Sequence, residues 1–162
     1  MRSRAATMRS FMGFDVSLRP VTETDVDEFF AHSQARGPGI TEDCEKFRAR
    51  WRERLMDPTI KIRAIIVGEQ VVGYIGYFTR NALPEVSYEL GPQYWGNRFA
   101  TSALHRFVSE IDVRPLYARA AKDNTRSIGV LQKCGFSTVG EDRFIAAGGQ
   151  EVEEFIFALD DS

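Results

Sequence analysis

Two acids, an amide and a hydroxyl stand where this chain could carry out chemistry. Glu85, Ser87 and Glu89 alternate with Val86, Tyr88 and Leu90, so a strand over Glu85–Leu90 sets the acids on one face and the apolar residues on the other. Glu85 and Glu89 are then candidate general bases, with ordinary solvent-facing strand acids as the alternative account. Asn124 and Ser127 lie three apart at an expected helix start and can point into one cleft, although Asn124 also fits a helix N-cap. Between the two groups, a Gly91-Pro92 turn and a short loop lead into a helix expected to start near Gly96. Its apolar residues Ala100, Ala103, Leu104, Phe107 and Ile111 recur at spacings of three and four. A helix N-terminus after a glycine loop favours phosphate or pyrophosphate, because its amides and dipole present positive charge. The chain has no Gly-x-x-x-x-Gly-Lys-[Ser/Thr], and Gly96 lacks the further glycines of the dinucleotide fingerprint, so those two nucleotide sites are excluded.

Cys44 and Cys134 make no Cys-x-x-Cys, and His32 and His105 are far apart, so no metal site is expected. Cys134 has no histidine nearby in sequence to activate it and reads as a buried structural thiol. His105 falls on the polar face of its helix, and His32 closes the first helix; neither reads as a base.

The string Gln93-Tyr94-Trp95-Gly96-Asn97-Arg98 resembles the acyl-CoA pyrophosphate loop of the GCN5-related N-acetyltransferase (GNAT) superfamily, Gln/Arg-x-x-Gly-x-Gly/Ala. The run Tyr94–Thr101 is similar to Trp-Gly-Lys-Gly-Tyr-Ala-Thr of the ribosomal-protein alanine N-acetyltransferase (RimJ/RimL-like) branch. Arg98 departs from the pattern, where Gly or Ala is usual. A second stretch, Asn124–Phe136, resembles the superfamily's Asn-x-x-Ser-x-x-x-Leu-x-Lys-x-Gly-Phe helix at every fixed position. The resemblance spans roughly residues 16 to 158 and is strongest from Glu85 to Phe136.

This resemblance implies acetyl-CoA as cofactor and direct acetyl transfer to a primary amine. Cofactor contacts are implied at Leu90, Gln93, Trp95, Gly96, Asn97, Arg98, Ala100 and Thr101, with Asn124 on the pantetheine arm. Main-chain amides of about Trp95 to Ala100 would hold the pyrophosphate, and the long Arg98 side chain would either crowd it or bind it through the guanidinium. Glu85 aligns with a glutamate often seen in this strand and ranks first as base, with Glu89 second. Ser127 sits near the sulfur as donor or acid. Leu131 occupies the position where many relatives carry a tyrosine acid, which excludes a tyrosine there. A base or water chain is needed, since a lysine amine has a pKa near ~10.4 and an α-amine near ~8. The acceptor is a protein N-terminus or a small amine such as a polyamine, amino acid or aminoglycoside; a non-catalytic acyl-CoA-binding module is the rival from another class. A homodimer is common in the family.

These residues need a scaffold, and 162 residues suffice for one domain with a single core. The net charge of -2 gives nucleic-acid binding no support, no apolar run reaches membrane-spanning length, and unpaired cysteines suit a cytoplasmic setting. Met1–Phe14, with Arg2, Arg4 and Arg9, reads as a frayed leader, and 15–160 as the domain. A strand over Asp15–Pro20 precedes a helix capped at Thr22 or Thr24, with Val26, Phe29 and Phe30 inward, broken at Arg36–Gly39. A second helix from Thr41 lays Cys44, Phe47, Trp51 and Leu55 along one stripe and Lys46, Arg48, Arg50, Arg52 and Arg54 on the other face, which reads as solvated, with a substrate or acidic-partner surface as the alternative. Strands Ile60–Val67 and Gln70–Phe78 form a hairpin about Gly68-Glu69; later strands are Leu116–Ala121, Phe136–Glu141 and Glu151–Leu159. The order β-α-α-β-β-β-α-β-α-β-β predicts an α/β (α+β) mixed sheet of about seven strands with helices on both faces. The resemblance implies this same topology, with the fourth and fifth strands splayed to admit the pantetheine.

Overall fold

The computed structural model describes residues 15–36 and 42–160. Its elements are β1 (Val16–Pro20), α1 (Glu23–Ala35), α2 (Cys44–Met56), β2 (Lys61–Val67), β3 (Gln70–Arg80), β4 (Leu83–Leu90), a 3-10 turn (Pro92–Tyr94), α3 (Phe99–Val108), β5 (Leu116–Ala121), α4 (Thr125–Lys133), β6 (Ser137–Ile145) and β7 (Glu151–Leu159). This is the expected order. The strands form one mixed sheet, β1-β2-β3-β4-β5-β7-β6, antiparallel except where β4 meets β5. The leader Met1–Phe14, the Gly37–Gly39 breaker and the expected helix start at Thr41 lie outside the described residues.

Local signals explain most boundaries. Thr22 Oγ1 accepts from the Asp25 N–H at 3.3 Å and Asp25 Oδ2 accepts from the Thr22 N–H at 2.8 Å, a reciprocal cap that starts α1. Buried Asp25 also takes a hydrogen bond from Arg19 Nη2 at 2.9 Å, tying β1 to α1. Asp43 Oδ1 accepts from the Lys46 N–H at 2.8 Å and starts α2. Phe47 and Trp51 are buried, but Leu55, expected on the same stripe, is exposed. It stands one turn beyond the cluster those rings form with Phe29 and Tyr74.

Strands β3 and β4 run longer than expected because Asn81 and Ala82 both take positive φ, 50° and 65°, the geometry of a tight two-residue hairpin turn. Strand β6 likewise continues to Ile145 along the sheet's edge, with Val139, Phe144 and Ile145 exposed. Among the described residues, no helix is long and apolar enough to cross a membrane.

The sheet separates two cores. On one face, Ala64 and Ile66 pack with Val26 and Phe29 of α1 and Phe47 and Trp51 of α2. On the other, Ile65, Val67, Ile75, Val86 and Leu90 pack with Ala103, Leu104 and Phe107 of α3 and Leu131 of α4. The period of two therefore assigns Tyr74 and Glu89 to the α1–α2 face and Tyr88 and Leu90 to the α3–α4 face. The end of β4 is held close to β3: a Cβ on Gly73 would stand 2.0 Å from the Glu89 carbonyl oxygen, and the Gly91 N–H bonds Val72 O at 2.9 Å. Its other neighbour recedes. Parallel β4 and β5 share the register pair Glu85↔Tyr117 near their beginnings, and no pairing continues toward Leu90 and Ala121. The strands part there, as the resemblance implied.

Candidate functional site

A cavity of about 530 Å³ opens where β4 and β5 part. Tyr88, Glu89 and Leu90 form its β4 wall, the Trp95–Thr101 segment a second wall, and the first turns of α4 a third. Arg36 reaches it from the end of α1. Because the gap passes through the sheet, one cavity collects groups from both faces.

The loop into α3 departs from the expected helix start near Gly96. After the 3-10 turn the chain is extended at Trp95, left-handed at Gly96 (φ 80°) and left-handed again at Arg98 (φ 65°), so α3 begins only at Phe99. A Cβ on Gly96 would meet nothing within 4 Å, so glycine is suited here by backbone conformation, not by crowding. Arg98 occupies the conformation that glycine adopts freely, at a cost of roughly 1–2 kcal/mol. It is the N-cap of α3 with no side-chain cap, and the first bond inside the helix runs from the Ser102 N–H to Arg98 O at 3.1 Å. The uncapped positive end of α3 thus faces the cavity beside an arginine.

Helix α4 contributes the opposite wall. Asn124 Oδ1 accepts from the Ser127 N–H at 3.1 Å, so Asn124 is an N-cap that also lines the cavity. Ser127 Oγ lies 2.9 Å from Tyr88 Oη, a hydroxyl pair that bridges β4 and α4 across the gap. Burial pushes the Tyr88 phenol upward, with the Ser127 hydrogen bond opposing, so the pair retains its protons at neutral pH. The Arg126 guanidinium stacks 3.8 Å over the Trp95 ring, whose indole N–H donates to Leu90 O at 3.3 Å. Gly129 also lines the cavity, and a Cβ there would meet nothing within 4 Å.

Of the residues singled out from sequence, Glu89, Leu90, Trp95, Gly96, Arg98, Ala100, Thr101, Asn124 and Ser127 meet at this cavity. Glu85, Gln93 and Asn97 do not line it. Asn97 turns its amide inward to the carbonyls of Tyr94 and Trp95, both at 3.3 Å, and so shapes the loop. Glu85 is buried, 3.4 Å from Arg80 Nε and 3.6 Å from Arg119 Nε. Burial pushes its carboxyl above the usual range against the pull of both arginines. Glu89 is half-exposed and pairs with Arg36 Nη2 at 2.5 Å. Cys134 donates to Thr101 O at 3.4 Å, and burial pushes its thiol up, opposite to the shift a nucleophilic thiol needs. His32 is buried edge-on to Tyr94, with burial lowering its pKa, while His105 is exposed.

Sequence reasoning missed Tyr88, Arg36, Arg126 and Gly129. Arg126 and Gly129 lie at the variable positions of the Asn124–Phe136 pattern. Tyr88 was legible only as the apolar partner of two acids, and Arg36 only as the end of a helix. Among the described residues, no group of His, Cys, Asp and Glu is placed to hold a metal.

A model of the acetyltransferase (GNAT) domain family matches residues 15–137. A protein of Bacillus licheniformis, described as an uncharacterised N-acetyltransferase, is 28% identical over 106 residues, 59% of this chain. The match spans 60% of that relative's length. Among solved structures, the microcin C7 self-immunity acetyltransferase MccE, in complex with acetyl-CoA and AMP, superposes with a TM-score of 0.78 at 15% identity, covering 93% of this chain and 94% of that one. A variant of the spermidine N-acetyltransferase SpeG from Vibrio cholerae gives 0.76 at 14%, covering 89% and 94%.

Proposed function

This chain belongs to the GNAT acetyltransferase family, and we propose that it transfers an acetyl group from acetyl-CoA directly to a primary amine. The observation that carries the reading is the position of Glu89 and the Tyr88–Ser127 hydroxyl pair, which reach one cavity from opposite faces of the sheet. The cavity fits the cofactor: the N-terminal end of α3, Arg98, Arg126 and Lys133 surround it with positive charge suited to phosphates. The open side of Gly129 leaves width for an extended chain along α4.

Acetyl-CoA, when bound, supplies the thioester carbonyl that the amine attacks. Glu89 accepts the amine's proton, since it is the one carboxylate on the cavity wall among the described residues. Ser127 Oγ, bonded to Tyr88 Oη, holds a proton on the opposite side for the departing sulfur. Asn124 and the α3 N-terminus orient the donor, and this positioning supplies the larger share of the rate. Glu85 has a structural role between Arg80 and Arg119. The likeness of Tyr94–Thr101 to the ribosomal-protein alanine branch supports a protein N-terminal α-amine as acceptor. The two free cysteines support a reducing, cytoplasmic setting.

Thermal unfolding with and without acetyl-CoA, followed by coenzyme A release in the presence of amines, tests this. At about 100 times its dissociation constant the cofactor adds about 2.7 kcal/mol, several degrees in a domain of this size. The Gly96→Trp variant should lose that shift. An unshifted wild type at millimolar acetyl-CoA would remove the proposal.

A further inference from the structure

A deep contact and an outer one cross the gap where β4 and β5 part. The deep one is the Tyr88–Ser127 hydroxyl pair. The outer one begins two residues later on β4. The Gly91 N–H bonds Val72 O on the β3 side, so the main-chain groups of Leu90, one residue back, point the other way, into the gap. No pairing with β5 continues that far. Leu90 O takes its hydrogen bond instead from the Trp95 indole N–H, at 3.3 Å. The Arg126 guanidinium, from the first turn of α4, lies 3.8 Å from the centre of the same ring. Leu90, Trp95 and Arg126 thus form a strap from the end of β4 to α4, and all three line the cavity.

This strap is weakly held. Its hydrogen bond is longer than the usual ~2.9–3.0 Å. The Trp95 ring is 38% exposed, and room remains beside the next residue, since a Cβ on Gly96 would meet nothing within 4 Å. A strand edge that has lost its neighbour is a docking line for any extended chain that carries amides. The pantetheine arm of coenzyme A is such a chain, with two amide groups. The indole already stands on that edge. An arm laid along the end of β4 therefore reaches Leu90 O only when the ring leaves.

We infer that Trp95 stands in for the cofactor arm: in the free protein its indole N–H holds Leu90 O and, stacked under Arg126, straps the cavity, and the entering arm takes that carbonyl with an amide N–H and turns the ring out. The inference rests on the acetyl-CoA reading and goes beyond it. Trp95 opposes cofactor binding, contrary to the direct contact that the family resemblance implies. One neutral hydrogen bond replaces another at Leu90 O, so the closed strap lowers apparent affinity without changing the chemistry at Glu89.

The test uses the two tryptophans of the chain, of which Trp51 is buried in the α1–α2 core. Nitrogen-15 labelling gives two indole N–H signals by NMR, and Trp95→Phe assigns them. Coenzyme A should speed the solvent exchange of the Trp95 indole N–H and leave that of Trp51 unchanged. Adenosine 3′,5′-bisphosphate, which carries phosphates and no amide arm, should leave both unchanged. Trp95→Phe keeps a ring for Arg126 and loses the donor. Its dissociation constant for coenzyme A, by titration calorimetry, should fall about fivefold, the factor that a single neutral hydrogen bond commands. Unchanged or weaker binding by Trp95→Phe, beside a wild type that binds, makes Trp95 an ordinary cofactor contact and overturns the inference while the acetyl-CoA reading stands. Equally fast exchange with the bisphosphate also overturns it. A wild type that binds no coenzyme A removes both the inference and the reading beneath it.

Discussion

Glu85 and Glu89 share a strand and a face, yet the fold gives them opposite surroundings. Glu85 stands where β4 still pairs with β5, so it is closed in and meets Arg80 and Arg119 instead of a ligand. Glu89 stands four residues on, after the strands have parted, so it opens onto the cavity and retains half its exposure to solvent. Two periods of the same pleat thus separate an enclosed carboxylate from one that faces the cavity. The difference lies in the neighbouring strand, not in the residues.

The largest effect expected from this contrast is on turnover. Glu89→Gln should lower kcat by about 10²–10⁴-fold, the range for a general base, with the acetyl-CoA thermal shift retained. Glu85→Gln should leave kcat within a few-fold of wild type. Equal losses from the two variants would return Glu85 to the mechanism, and the measurement is steady-state coenzyme A release on one amine.

A smaller effect is expected across the gap. Tyr88→Phe and Ser127→Ala should each reduce kcat about tenfold, and the double variant should fall little further, because the two hydroxyls share one proton path. Additive losses would separate their roles.

The smallest effect concerns stability and pH, and it sets Glu85 against the other buried acid, Asp25. Burial alone would raise Asp25, but Arg19 and the Thr22 hydrogen bonds outweigh it and hold its carboxyl below the usual range. Its contribution is therefore present above the unfolded value of ~3.9 and is lost as pH falls through the lower folded value. Glu85 has the opposite sign. Its raised folded value means that the native state holds the proton more tightly, so stability falls as pH rises from ~4.3 through that value. Urea midpoints between about pH 3 and 7 should show the first slope missing in Asp25→Asn and the second missing in Glu85→Gln. Parallel curves for wild type and both variants would refute the assignment.

Much of this site was legible before any coordinates. The period of two put Glu85 and Glu89 on one face, and the spacing of three put Asn124 and Ser127 at one helix start; both are local backbone geometry. Gly96 was legible because a loop turning into a helix needs positive φ somewhere, and glycine marks it. The start of α3 was placed early because Arg98 adopts a left-handed conformation that its residue type does not advertise. The Asn81-Ala82 turn escaped notice for the same reason, with alanine at φ 65°.

Sequence periodicity, caps and turn signals therefore determined the element order, the mixed sheet and the glycine loop before α3, since each depends on neighbours a few residues away. Tertiary structure alone decided which glutamate meets the cavity, that Tyr88 pairs with Ser127, and that Arg36 pairs with Glu89. Those contacts join residues up to 53 positions apart, as Arg36 and Glu89 are, through a gap that exists only because β5 stops pairing with β4. No local pattern encodes where two strands part, because that is settled by packing on both faces of the whole sheet.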